Sequence, residues 1–312
     1  MELILEEIED KEEFDKLFRE ITEDVPRSPS VAMSYPAVAH PSALLSNFEV
    51  RDDTKTIAAF RREQLAGLAS FIRSKVTFLP PSFVNRVFFL LGRKRAKDVE
   101  DSLLENIAKA YSTLQIPEVS YIRLHPLEKS SPSGRRLGKH EYKKKFVMTR
   151  MARKLQNIPK PQHQIAPILR RVQWEEEDLG LFMRTWAQGF GWPARQIEEI
   201  ANGMTRRLLE RNSSDPNTWV NFLAEVEGQA VGTAATLTFP DSAFVVNVST
   251  LKEFRRRGFA VCTMMNLMEW CKEQGMRNIA LDVWPRDTAA VSLYTKLKFE
   301  EFGTSSAYVR KF

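Results

Sequence analysis

The run Phe244–Val261, FVVNVSTLKEFRRRGFAV, joins an apolar, strand-like stretch to three successive arginines, one glycine and the start of an amphipathic helix. A turn that ends a strand and opens a helix exposes successive backbone N–H groups at the positive end of the helix dipole, a setting that suits an anion. Gly258 permits positive φ or close backbone approach, and Ala260 is small enough not to block it. Arg255, Arg256 and Arg257 add charge and forked donors matched to phosphate oxygens. Alone, three arginines also fit a solvated turn or a nucleic-acid patch. Between a strand and a helix they read as a pyrophosphate cradle.

The elements that must hold this turn follow from hydrophobic period and turn chemistry. Ile165–Val172 reads as a strand, and Glu175–Ala187 and Pro193–Arg211 carry helical spacing. Trp219–Glu225 and Ala230–Phe239 are strand-like and joined by Glu227-Gly228-Gln229, a hairpin turn. Phe244–Thr250 is the third strand of this meander. A helix from Ala260 to Gln274 ends at Gly275; strand Asn278–Val283, helix Thr288–Leu297 and strand Ala307–Phe312 complete the order. The class is α/β with a mixed sheet.

The polar, proline-bearing segment Leu155–Gln164 is the best linker, and it cuts the chain nearly in half. The halves resemble each other. Leu65–Ile72 mirrors Ala230–Leu237, the helix Val99–Tyr111 precedes Ser120–His125, and LGKHEYKKKFVMTRM stands against TKLKFEEFGTSSAYV. Ile122 matches Ile279 and Tyr142 matches Phe299 at an offset of 157, while Gly67 matches Gly232 at 165. The reading is two tandem copies, over 1–156 and 165–312.

Arg255-Arg256-Arg257-Gly258-Phe259-Ala260 fits Gln/Arg-x-x-Gly-x-Gly/Ala, and LYTKLKF closes the second half where Leu-Tyr-x-x-x-Gly-Phe would stand. With the strand order, hairpin and helix, residues 165–312 resemble the GNAT superfamily of N-acetyltransferases. A P-loop is excluded because Gly-Lys-Ser/Thr is absent, and one glycine in place of three argues against a dinucleotide fold. The resemblance implies acetyl-CoA as cofactor, its pyrophosphate on the N–H groups from Arg256 through Val261 with Arg255 at the motif's first place. It implies that backbone groups of Val248, Ser249 and Thr250 pair with the pantetheine arm. Tyr294 stands where the family keeps an acid for the departing sulfur. For the base, the strand Ala243–Thr250 offers no carboxylate; Asp282 stands where some relatives carry a glutamate, with Glu225, Glu227 and a water chain as rivals. Asp287 replaces an asparagine that contacts the coenzyme, and aspartate equally suits a helix cap. Trp186, Phe190 and Trp192 make an aromatic cluster that either lines the entrance for an amine acceptor or plugs the core. The first copy has Leu137 in place of the tyrosine and only Gly92-Arg93-Lys94-Arg95 as a basic glycine turn, which marks it as degenerate.

Bulk properties narrow the setting. A length of 312 residues accommodates two ordinary domains. Cys262 and Cys271 fit neither a zinc pattern nor a disulfide framework, so no metal is implied. Without a basic-flanked apolar leader or a membrane-length apolar run, the reading is a cytoplasmic protein. The net charge of +6 divides into roughly −8 over 1–60, +13 over 61–156 and +1 over the rest. The basic middle, densest in RRLGKHEYKKKF, lacks a base-stacking motif, so nucleic acid is disfavoured as a partner. The function implied is acetyl transfer from acetyl-CoA to a primary amine of a small molecule or peptide. The other class is a non-catalytic protein that binds the coenzyme, or a partner or RNA through the basic N-terminal half, and oligomeric state is not readable.

Overall fold

The computed structural model describes residues 3–23, 54–72, 86–91, 97–115, 118–124, 132–159, 167–211, 219–239 and 241–312. The expected linker's residues 160–164 and the turn Gly92–Arg95 lie outside them. Two compact units are present: Met1–Met148 with Gly303–Phe312, and Thr149–Phe302.

In the first unit, strand β1 (Ile4–Ile8) and helix α1 (Lys11–Glu23) lead into β2 (Thr54–Arg61), β3 (Gln64–Ile72) and β4 (Arg86–Leu91). Helix α2 (Lys97–Thr113), β5 (Glu118–Leu124) and the short α3 (Gly134–Lys139) follow. The second unit begins within β6 (Lys143–Lys154) and continues with β7 (Ile168–Arg171), α4 (Glu176–Gly189) and α5 (Ala194–Arg211). It goes on through β8 (Trp219–Val226), β9 (Gln229–Phe239), β10 (Ser242–Thr250), α6 (Phe259–Glu273), β11 (Asn278–Val283) and α7 (Thr288–Lys296). The last strand is β12 (Glu300–Lys311).

Each unit has the same strand order. In the first it is β1-β2-β3-β4-β5-β12, and in the second β7-β8-β9-β10-β11-β6. In both, the fourth and fifth strands are parallel and the other neighbouring pairs are antiparallel. Local details repeat at the offsets read from sequence. The first hairpin turns through Arg62-Glu63 and the second through Glu227-Gly228, all four residues at positive φ. Each hairpin carries a register shift at the equivalent place, between Ala59 and Phe60 and between Ala224 and Glu225. The amide of Tyr142 donates to Leu137 O at 3.0 Å, as Phe299 donates to Tyr294 O at 2.9 Å. Glu141 and Lys298 adopt φ of 65° and 63° beside them. The chain is therefore a tandem duplication.

The sequence expectation of two contiguous halves gives way at the sixth strand. Val283–Asn278 of β11 pair with Thr149–Lys154, and Ser305–Lys311 pair with Leu124–Glu118 of β5. The strand ending the first copy in sequence thus completes the second unit's sheet, and the strand ending the second copy completes the first's. Period-2 alternation marks both segments as strands but carries no partner label.

Burial explains the order. In the second unit Met264, Leu267, Met268 and Cys271 of α6 pack with Val245, Ile279 and Leu281, and β6 and the residues after it add Met151, Leu155 and Ile158. In the first, Leu103, Leu104, Ile107 and Tyr111 of α2 cover Ile57, Ala59 and Ala69. The dense basic stretch is partly structural: Arg136 donates to Asp101 at 2.6 Å, and Leu137 and Tyr142 face the core. Among the described residues no helix is long and apolar enough to cross a membrane.

Candidate active site

Two parallel strands part in the middle of the second unit. β10 and β11 pair only from Ser242/Asn278 to Val245/Leu281, although β10 runs on to Thr250 and β11 to Val283. Toward β9 the register of β10 shifts between Val246 and Ser249, and Asn247 there has φ 55°. The bulge twists β10 away from its parallel neighbour. Thr233 stitches it: its hydroxyl reaches Asn247 O and Ser249 Oγ, each at 2.8 Å. Gly232 is needed because a Cβ there would collide with Ser249 O. Replacing Gly232 with Ala is therefore expected to lower the melting temperature and to weaken acetyl-CoA binding together, by differential scanning fluorimetry and calorimetry. Loss of neither would disconnect the bulge from the site.

Val248, Ser249 and Thr250 thus lie in the splayed part of β10, with Val248's side chain turned to the core. The Thr250 carbonyl is already taken, since Arg255 Nε donates to it at 3.0 Å. Arg255 also donates through a terminal nitrogen to Gly189 O at 2.6 Å. Its guanidinium is a brace between the strand end and the end of α4, not a free fork for phosphate, which corrects the role expected of it. Gly189 itself must be glycine, because a Cβ would meet Ser249 Oγ.

Beyond a single 3-10 turn at Lys252–Phe254, Arg256 takes φ 61° and Gly258 φ 78°. Gly258 is the N-cap of α6 and, having no side chain, leaves the first N–H groups of the helix uncapped. Phe259 is buried against Ala224 and Val231, so only its backbone faces the turn, and Ala260 and Val261 follow within the first helical turn. Arg256 and Arg257 are exposed, and the Arg257 guanidinium lies 5.5 Å from the Phe254 ring centroid. The geometry is an open helix N-terminus with two exposed arginines beside it, and it suits a diphosphate.

Tyr294, in α7, is buried and packs edge-on against Phe299, with centroids 5.7 Å apart. Burial, with the Asp287 charge in support, pushes its phenol well above the ordinary tyrosine range, so the proton is retained at neutral pH. Asp287 caps α7 by accepting from Ala290 N at 3.0 Å, which favours the cap over a coenzyme contact. Asp282 is not placed as a base: Oδ1 accepts from Arg150 Nε at 2.8 Å and Oδ2 from a terminal nitrogen at 2.7 Å. Arg150 is only 2% exposed and lies 5.2 Å from the Phe244 ring. The guanidinium engages both carboxylate oxygens, and the pair ties β11 to β6. The rivals fare no better. Glu225 accepts from Arg170 at 2.7 Å, Arg170 also chelates Asp178 and holds it below the usual carboxylate range, and Glu227 sits exposed in the hairpin turn.

The aromatic cluster is both core and surface. Trp186 is buried, with Phe190 at 5.4 Å and Trp192 at 6.4 Å between ring centroids, while Phe190 is 55% exposed. Sequence reasoning missed Thr233, Gly232, Gly189 and Arg150. The small-residue run VGTAAT was the one signal for the first two, and nothing local to Arg150 points 132 residues ahead to Asp282. In the first unit, by contrast, β3 and β4 pair from Gly67/Leu91 to Phe71/Val87 without a register shift, and five residues rather than eight separate the fourth strand from the next helix.

Comparison with known proteins agrees with this architecture. The model of the acetyltransferase (GNAT) family matches residues 173–299. The ribosomal protein bS18-alanine N-acetyltransferase of Escherichia coli strain K12 is 24% identical over 108 residues, covering 35% of this chain and 73% of the relative. Among solved structures, a tandem GNAT protein from the clavulanic acid biosynthesis pathway superposes with a TM-score of 0.70 at 10% identity, over 99% of this chain and 98% of the other. A GCN5-related N-acetyltransferase from Sphaerobacter thermophilus gives 0.66 at 17% identity, over 99% and 95%. At these identities the structural likeness speaks to fold.

Proposed function

Because its C-terminal half belongs to the GNAT acetyltransferase family, we propose that this protein is an acetyl-CoA-dependent N-acetyltransferase whose second unit acetylates a primary amine of a small molecule or peptide. The observation that carries the reading is the parting of β10 from β11 beside a helix that starts on an uncapped glycine. The splayed strand offers unpaired backbone edges for an extended arm, and the N-terminus of α6 offers N–H donors for its diphosphate. When bound there, acetyl-CoA supplies an activated thioester that an amine can attack directly in a ternary complex.

The chain's own part is to bind, orient and move protons. Gly258–Val261 and the charges of Arg256 and Arg257 hold the anionic end. Val248 and Ser249 present backbone groups to the arm, while Arg255 keeps the strand end and α4 in register. Tyr294 carries a proton toward the departing sulfur. With Asp282, Glu225 and Asp178 tied to arginines, the amine's proton leaves to water. The first unit, with no register shift between β3 and β4 and with Leu137 at the place of Tyr294, is a supporting copy. Purified protein is expected to release coenzyme A from acetyl-CoA when an amine panel is added, and acetyl-CoA alone is expected to slow hydrogen exchange at 255–261. No protection of that turn and no release with any amine would end the proposal.

A further inference from the structure

Trp186 carries an indole N–H that is buried yet has no hydrogen-bond partner among the described residues, in a side chain only 7% exposed. Such a donor is unfavourable to bury alone and is normally satisfied by protein, water or ligand. Its place in the fold narrows the choice. Trp186 lies one turn before Gly189 on the same face of α4, and Gly189 rests against Ser249 on the splayed part of β10. Arg255 fixes that helix end to the strand, and the indole ring packs against Phe190 and Trp192. Beside it stands Phe190, a large apolar ring left more than half exposed. An exposed apolar ring beside an unsatisfied donor is a combination that orients ligands in many small-molecule sites.

Resting on the acetyl-transfer reading, we propose that Trp186 is a specificity-determining residue whose indole N–H binds an oxygen of the acceptor. The acceptor class is then an amine bearing a carbonyl or hydroxyl oxygen, not a simple alkylamine. A site built to donate to an oxygen discriminates strongly against an analogue without it, because the donor is left buried and unpaired.

The test uses the full chain and paired probes: L-alaninamide against isopropylamine, and D-glucosamine against cyclohexylamine. Wild type is expected to show a kcat/KM at least about tenfold higher for the oxygen-bearing member of a pair once both are referred to the concentration of neutral amine, since the oxygen-bearing amines are the weaker bases. Trp186→Phe, which keeps a ring and removes the N–H, is expected to raise KM for that member about tenfold and to leave its partner's unchanged. Acetyl-CoA affinity, measured by calorimetry, is expected to be equal in the two proteins. A fall in acetyl-CoA affinity in the variant would assign the N–H to the coenzyme and overturn the proposal. So would equal losses on both members of a pair, or turnover by wild type of neither oxygen-bearing probe while acetyl-CoA still binds. Were Trp186→Phe to fold poorly, the wild-type preference alone decides. Failure of wild type to bind acetyl-CoA at all would instead remove the acetyl-transfer reading beneath it.

Discussion

Removing residues 1–159 is expected to leave residues 160–312 unable to fold, whereas residues 143–302 are expected to unfold cooperatively as a unit. The shorter construction of the C-terminal half lacks the strand segment that pairs with β11 from Thr149 to Lys154. With it go Met151, Leu155 and Ile158, all within the buried core of the second unit. Losing a buried Leu, Ile or Met side chain costs about 2–5 kcal/mol. Arg150, the partner of Asp282, is lost with the same strand. The sum reaches or passes the roughly 5–15 kcal/mol that holds a typical domain together. The fragment also keeps β12, whose residues Ser305–Lys311 would have lost β5 and would present an unpaired edge. Residues 143–302 restore β6 and leave out most of β12. Circular dichroism with urea titration distinguishes the two. A cooperative transition of 160–312 at the midpoint of the full chain would show that the strand exchange contributes nothing to stability.

That outcome bears on what a sequence can disclose. The cradle was legible because its chemistry is local: arginines, glycine and helix start lie within a few residues, and Gly258 adopts the positive φ its position asks for. The meander was legible for the same reason, since period-2 runs and the Glu227-Gly228 turn are short-range signals. Even the duplication showed, because offsets of 165 and 157 preserve Gly67/Gly232 and Tyr142/Phe299. Partners far apart in the chain were not legible. Nothing in the local sequence marks Arg150, and only the register of β6 on β11 makes it the buried counter-ion of Asp282. Arg255 matched a motif position, yet its donors turn back onto Thr250 and Gly189. A pattern names a residue type at a place; which of its hydrogen bonds are already spent is decided by the packing around it.

Replacing Tyr294 with Phe is expected to lower kcat about 10²–10³-fold, the scale of a lost general acid, with acetyl-CoA affinity unchanged. The melting temperature is expected to hold as well. The ring's contact with Phe299 survives the change, and the hydroxyl has no hydrogen-bond partner among the described residues. The pH dependence carries the sharper statement. Burial chiefly, and then the Asp287 charge, disfavours the phenolate and raises the folded pKa, so the protonated acid persists to higher pH than an ordinary tyrosine, whose pKa is about 10. The ratio of wild-type to variant kcat is therefore expected to stay constant from neutral pH up to about 10. A phenolate acting as base would make that ratio grow with pH, and a tyrosine serving only as core would give a ratio near one throughout. Steady-state rates of coenzyme A release across that range, for both proteins, decide among the three. The acid assignment stands on a constant, large ratio and falls with either alternative.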